Sequence, residues 1–206
     1  INAISKTSTI TSEYNTSTAA TLTQMNQSLD TLLENALKIA DTPLLNDDAR
    51  KAMITNYEKD YLSYAQDFNV FRNLMRQTNQ LNSSMLTVYF QNRYGYSFEY
   101  NVKTAQQRHT IESNMEKWKK IAETSKNRTY FAPLQTDSST GHSILPMVKI
   151  LLDRYDYRET GLCYAEIDFT PIMEILSSSC ETQNTLLIYN ACLLYTSDAA
   201  DDLIGV

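Results

Sequence analysis

Two histidines, three cysteines and four glycines are all that this 206-residue chain offers to the commonest kinds of protein chemistry. His109 follows Arg108 and His142 follows Gly141, and neither has a second ligand at metal-binding spacing. Cys163 stands at an alternating position of an apolar run, which predicts burial, while Cys180 stands in a polar stretch. A cysteine nucleophile needs a base beside it in space, which sequence alone does not show. Four glycines cannot be arranged into a GxGxxG turn or a Walker loop, so a phosphate cradle is excluded. The expectation is a segment without catalytic residues, without a metal and without a cofactor. A net charge of -6 removes nucleic acid as a partner, because a polyanion needs a basic face. The unusual residue is tyrosine, present 14 times.

The elements that would position these side chains follow from periodicity. Residues 1–40 contain neither proline nor glycine, and Leu22, Met25, Leu29, Leu32, Ala36 and Ile39 fall at alternating steps of three and four. That is a heptad seam on one face of a long helix. Residues 5–23 are rich in Ser and Thr, so this half needs a neighbour: a partner helix in a dimer, or a preceding membrane helix. Asp41-Thr42-Pro43 is expected to end the helix, since proline disfavours helical geometry in the residue before it. Asn46-Asp47-Asp48 supplies a cap for a second helical region. There Met53, Tyr57, Tyr61, Tyr64, Phe68, Phe71 and Leu74 form an aromatic stripe read as core.

From residue 83 the pattern turns to alternation. Residues 85–90 and 97–100 read as a hairpin turning near residues 92–95. A helix follows from Thr110, with Ile111, Met115, Trp118 and Ala122 on one face. Residues 129–134, 144–152 and 161–168 read as strands, and Thr170-Pro171 opens a short helix reaching Leu176. Residues 185–189 read as one further strand. Helices beside an antiparallel sheet make the fold class α+β. No apolar run approaches the roughly 20 residues that cross a bilayer.

This order resembles a known family. A Ser/Thr-rich helix leads to the hairpin Leu86-Thr87-Val88-Tyr89-Phe90 … Tyr94-Gly95-Tyr96, then to a helix bearing Trp118. Next come the strand from Ile144 to Asp153 and the segment Gly161-Leu-Cys-Tyr-Ala-Glu-Ile-Asp168-Phe169, which enters Ile172-Met-Glu-Ile-Leu176. The succession is similar to the extracytoplasmic double-Cache, PAS-like sensor region of bacterial sensor histidine kinases, which is related to the sensors of chemoreceptors and diguanylate cyclases. The resemblance implies a stalk helix at 1–42, a helical region packed on it at 43–82 and a membrane-distal Cache module at 83–180. It places the start of a truncated membrane-proximal module at 181–191. It implies a chain anchored in the cell membrane by flanking helices outside this sequence, with this segment extracellular. The partners implied are a small-molecule ligand and a second copy joined through the long helix. An acidic, hydroxyl-rich, cysteine-poor composition suits such a surface.

The resemblance also implies a ligand pocket on the sheet, with residues 118–130 as its lid and the strands near Lys149 and Glu166 as its floor. Trp118, Tyr130 and Glu166 are the implied ligand contacts, Glu166 gripping an ammonium through a charge-assisted hydrogen bond. Glu116 stands where an amino-acid-binding member would carry an arginine, so amino-acid recognition is not implied. Arg128 and Lys149 read as solvated charges. The competing readings are a chemoreceptor sensor, a secreted or cell-surface binding protein and, more remotely, a soluble enzyme on a PAS-like fold.

Both ends of the sequence carry expectations of their own. It opens on Ile1, which suggests a processed chain or a fragment. Residues 192–201, Cys-Leu-Leu-Tyr-Thr-Ser-Asp-Ala-Ala-Asp, resemble the in-frame translation of a transposase-type sequencing adapter, so 192–206 is read as an artefact. Without its three aspartates the charge of -6 becomes -3.

Overall fold

Capping side chains and one proline set the helical boundaries. The computed structural model describes residues 2–81, 84–137 and 140–179. Helix α1 (Asn2–Leu45) continues through Pro43, a few residues past the expected stop. Proline removes the N–H that Ile39 would receive. The ring is buried, however, and Leu44 is buried beside it, so apolar packing carries the last turn. Asn46 then caps α2 (Asp47–Ile54), its side chain accepting from the Ala49 N–H at 3.0 Å. The helix stops after eight residues and α3 (Tyr61–Leu81) starts afresh. Two local side-chain contacts set the gap: Asn56 Oδ1 accepts from the Glu58 N–H in a turn that competes with helix, and Asp60 Oδ1 accepts from the Ser63 N–H, capping α3. The aromatic stripe is therefore broken. Tyr57 enters the core from the gap, whereas Tyr61 is 79% exposed.

The hairpin forms as expected, from β1 (Met85–Asn92) and β2 (Ser97–Tyr100), with Gly95 at φ 88° in the turn. Helix α4 (Ala105–Thr124) begins earlier than its apolar spacing alone suggested. Thr104 accepts from the Gln107 N–H while Gln107 accepts from the Lys103 N–H, a reciprocal cap. The chain returns through β3 (Thr129–Phe131), β4 (Gln135–Thr136), β5 (Ser143–Leu152) and β6 (Glu159–Asp168), then closes on α5 (Thr170–Ser179). The expected strand at 185–189 and the adapter-like segment lie outside the described residues. All pairings are antiparallel, in the order β2-β1-β6-β5-β3, with β4 also on β5.

Strand alternation gives the sheet two buried faces. On one, Val88, Phe90, Met147, Leu151, Cys163, Ala165 and Ile167 pack against α1, α2 and α3. On the other, Tyr89, Val148, Ile150, Leu162 and Tyr164 pack against Ile111, Met115, Trp118 and Ala122 of α4. The heptad seam of α1 belongs to the first face. Ala36 and Ile39 are buried there, and Met25, Leu29 and Leu32 lean on the same core. From Met25 onward the seam thus meets the chain's own sheet, and of its members Leu22 stays open at 47% exposure. At the far end of the sheet, a Cβ on Gly161 would lie 2.1 Å from the Gln91 carbonyl oxygen and 2.6 Å from Met53 Cε. Only glycine lets β6 lie this close to the β1 backbone there.

Candidate ligand-binding face

The α4 side of the sheet gathers the aromatic residues into a row. Tyr130 on β3 stands opposite Val148 on β5, which stands opposite Tyr164 on β6, which stands opposite Tyr89 on β1. The next row toward the start of β5 holds small side chains around one acid: Pro146, Glu166 and Thr87. Ala132 joins it through its N–H on the Pro146 carbonyl at 2.8 Å. Trp118 descends from α4 onto the aromatic row. Its ring stacks on Tyr164 at 6.3 Å and 13°, and meets Tyr130 at 6.0 Å and 61°.

Of the three residues implied by the resemblance, all stand on this face and are linked through a fourth, Tyr164. The Tyr164 hydroxyl donates to Glu166 Oε1 at 3.0 Å. Its pKa is pushed up by burial first and by the Glu166 charge second. Tyr89 repeats the arrangement one strand away, donating to Glu112 Oε1 at 2.6 Å, and burial again leads in raising its pKa. Glu166 is half-buried. A carboxylate has about four acceptor positions, and among the described residues this one has a single donor, the Tyr164 hydroxyl. Trp118 is 6% exposed and Tyr130 half-buried, so as they stand the indole belongs to the core and the phenol to its edge.

The sequence reading missed Tyr164, Tyr89 and Glu112. The signal for Tyr164 was present, two residues before Glu166 in a strand and so on the same face; the link to Tyr89 needed the register. Lys149 corrects an expectation. It is neither solvated nor part of this floor: its ammonium reaches under the opposite face to Asp41 Oδ2 of α1 at 2.6 Å, and its side chain is 12% exposed. Arg128 is exposed, as expected. His142 Nδ1 lies 3.3 Å from Asp168 Oδ2 without a well-directed hydrogen bond. Among the described residues no three His, Cys, Asp or Glu side chains form a metal-binding group.

A groove of about 510 Å³ opens elsewhere, between α1 and α5, with Gln27, Thr31, Asn35, Asp168, Ile172 and Ile175 among its walls. It touches none of Trp118, Tyr130 and Glu166, and it has no aromatic wall.

No family model and no curated protein matches the sequence. Solved structures do. The sensory domain of the Campylobacter jejuni chemoreceptor Tlp3 aligns with a TM-score of 0.57 at 13% identity, over 84% of this chain and 67% of that one. The same domain with isoleucine bound aligns at 0.55 and 13%, over 84% of this chain and 66% of that one. The chain has the fold of a Cache-type sensory domain. It spans about two-thirds of the length of those sensory domains. The sensor domain of the Vibrio cholerae histidine kinase DctB aligns at 0.49 and 13% identity, over 81% of this chain and 58% of that one. Within the Cache-type fold, the expected succession of stalk helix, hairpin, α4 and returning strands is the one observed. No described helix is long and apolar enough to cross a membrane.

Proposed function

We propose that this segment is the extracellular ligand-sensing part of a membrane-anchored bacterial receptor, and that its ligand binds on the α4 face of the sheet. One observation carries the siting. Glu166, a half-buried carboxylate with acceptor positions to spare, sits among small side chains at the foot of the Trp118–Tyr130–Tyr164 aromatic wall. Binding pockets combine apolar walls with a few convergent polar groups in this way. A ligand would enter by lifting α4 from the sheet. Trp118, Tyr130 and Glu166 would line its site, and the donor it brings to Glu166 would be an ammonium or a hydroxyl. The parent receptor is read as a two-component sensor histidine kinase, with a chemoreceptor as the alternative, and the complete reading frame separates them. A homodimer through α1 fits the reading through the stretch before Met25 or through another face of the helix, because the seam from Met25 onward leans on the chain's own core.

The test is thermal shift of the whole chain against single amino acids, amines and carboxylates. Isoleucine and valine come first because two of the solved sensory domains carry them. A ligand that binds the native state alone raises the melting temperature, by the equivalent of about 2.7 kcal/mol at a hundredfold excess over Kd. Glu166→Gln should remove the response to that compound while leaving the unliganded melting temperature within about 2 °C. A ligand whose response survives both Glu166→Gln and Trp118→Phe would refute the siting, and no response to any class would refute sensing.

A further inference from the structure

The stalk-side face of the sheet is apolar throughout its centre, and apolar contact has no direction. Beside that centre the structure places one ion pair between α1 and the sheet among the described residues: Lys149 Nζ to Asp41 Oδ2 at 2.6 Å, with the lysine side chain 12% and the aspartate side chain 39% exposed. Three features single this pair out. Asp41 lies near the C-terminus of α1, where a carboxylate opposes the helix dipole, and the last turn holds no basic residue of its own to answer it. Pro43, two residues on, leaves the same turn short of a backbone hydrogen bond. Both choices work against the helix locally, and such conflicts mark positions kept for another reason. The third feature is the place of Lys149 on β5. Val148 and Ile150, its chain neighbours, point to the opposite face beneath α4, and Val148 lies between Tyr130 and Tyr164 in the aromatic row.

We propose that Lys149–Asp41 is the joint that fixes the register of the stalk helix on the sheet. A displacement of β5 therefore moves the last turn of α1 with it, which hydrophobic packing alone would let slide. The joint stands on this geometry alone. If the face above it binds ligand, the joint lies one residue along β5 from Val148 in that face's aromatic row.

The experiment measures register directly. In the full chain carrying Cys180→Ser and Cys192→Ser, spin labels at Asp30→Cys on α1 and Lys120→Cys on α4 report one distance by double electron–electron resonance. Cys163 is buried and does not compete for label. The unaltered pair should give one narrow distance. Lys149→Met, which keeps the stem and drops the charge, should broaden or shift it by more than about 2 Å, and Asp41→Asn should do the same. Should either fail to fold, Asp41→Leu with Lys149→Met replaces the ion pair by an apolar one suited to the surrounding core and carries the same test. A narrow, unchanged distance in these variants overturns the proposal, whatever their melting temperatures. The readout needs no ligand, so its failure leaves the sensing reading standing, and failure of the ligand screen leaves the joint standing.

Discussion

Replacing Asn92 should destabilise this fold more than replacing any single surface residue. The side chain is 3% exposed and makes four hydrogen bonds. Its amide donates to the Ala52 and Thr55 carbonyls at 3.0 and 2.9 Å, joining the end of α2 to the sheet. Its oxygen accepts from the N–H groups of Tyr94 and Tyr96 at 2.9 and 3.0 Å, closing the hairpin turn. A net hydrogen bond is worth about 1 kcal/mol, and a buried group left without its partner costs about 1–3 kcal/mol. The turn N–H groups can reach water once freed, since Tyr94 is half exposed. The Ala52 carbonyl is buried and the Thr55 carbonyl partly so, and the expected loss for Asn92→Ala is about 2–4 kcal/mol, or roughly 5–15 °C in a chain of this size. Urea denaturation followed by circular dichroism measures it, with an unchanged m-value showing that the native state is otherwise intact. Asn92→Asp sharpens the test. Its carboxylate would face two carbonyl oxygens, which raises its folded pKa above the unfolded value of about 3.9. The folded state then holds the proton more tightly, so the variant is least impaired in acid and loses ground as pH rises through that range. If Asn92→Ala unfolds within about 0.5 kcal/mol of the parent chain, the four-bond account is wrong.

Other outcomes follow from single contacts. Gly161→Ala should cost several kcal/mol by chemical denaturation, because the Cβ has no room beside the Gln91 carbonyl; pairing it with Met53→Ala should recover little, since that obstacle is backbone. Asp153 is held below the usual carboxylate range, first by the Tyr155 N–H and also by the Arg50 guanidinium. Its contribution to stability is present above the ordinary carboxylate pKa and is lost as pH falls through the lowered one. Asp153→Asn should therefore flatten the acid limb of a melting-temperature profile, and an unaltered limb would count against the assignment. Burial pushes the Cys163 thiol well above its ordinary range, so mass spectrometry should find it unmodified by iodoacetamide in the folded chain and modified in urea. Labelling of Cys163 at equal rates in both states would contradict its place in the core.

Much of the architecture was legible because each signal was local. Period-two alternation placed β1, β5 and β6, Asn46 announced α2, and Thr170-Pro171 announced α5. Misreadings arose where tertiary contact overrode a local rule. Pro43 should stop a helix, yet its burial with Leu44 carries α1 onward. A seven-residue repeat fits a second helix, but from Met25 onward the seam leans on the chain's own core, which an apolar stripe satisfies equally well. Lys149 looks solvated in sequence because its answering charge lies 108 residues away. The candidate face was half legible for the same reason. Alternation puts Tyr164 and Glu166 on one side, but the alignment of Tyr130, Val148, Tyr164 and Tyr89 depends on three strand registers that no local pattern encodes.

That four-strand row also limits how the protein can vary over evolutionary time. Each strand contributes one residue to it, and successive residues face opposite sides of the sheet. Inserting or deleting a single residue within β1, β5 or β6 would therefore exchange whole sets of side chains; in β6 it would bring Cys163 and Ala165 beneath α4 and turn Tyr164 and Glu166 toward α1. Length changes among natural variants should collect in connections such as 153–158, where they leave the phase of every strand intact, rather than in the hairpin turn that Asn92 closes. Compensated double indels, one on each side of a row, are the only other kind the sheet could accept.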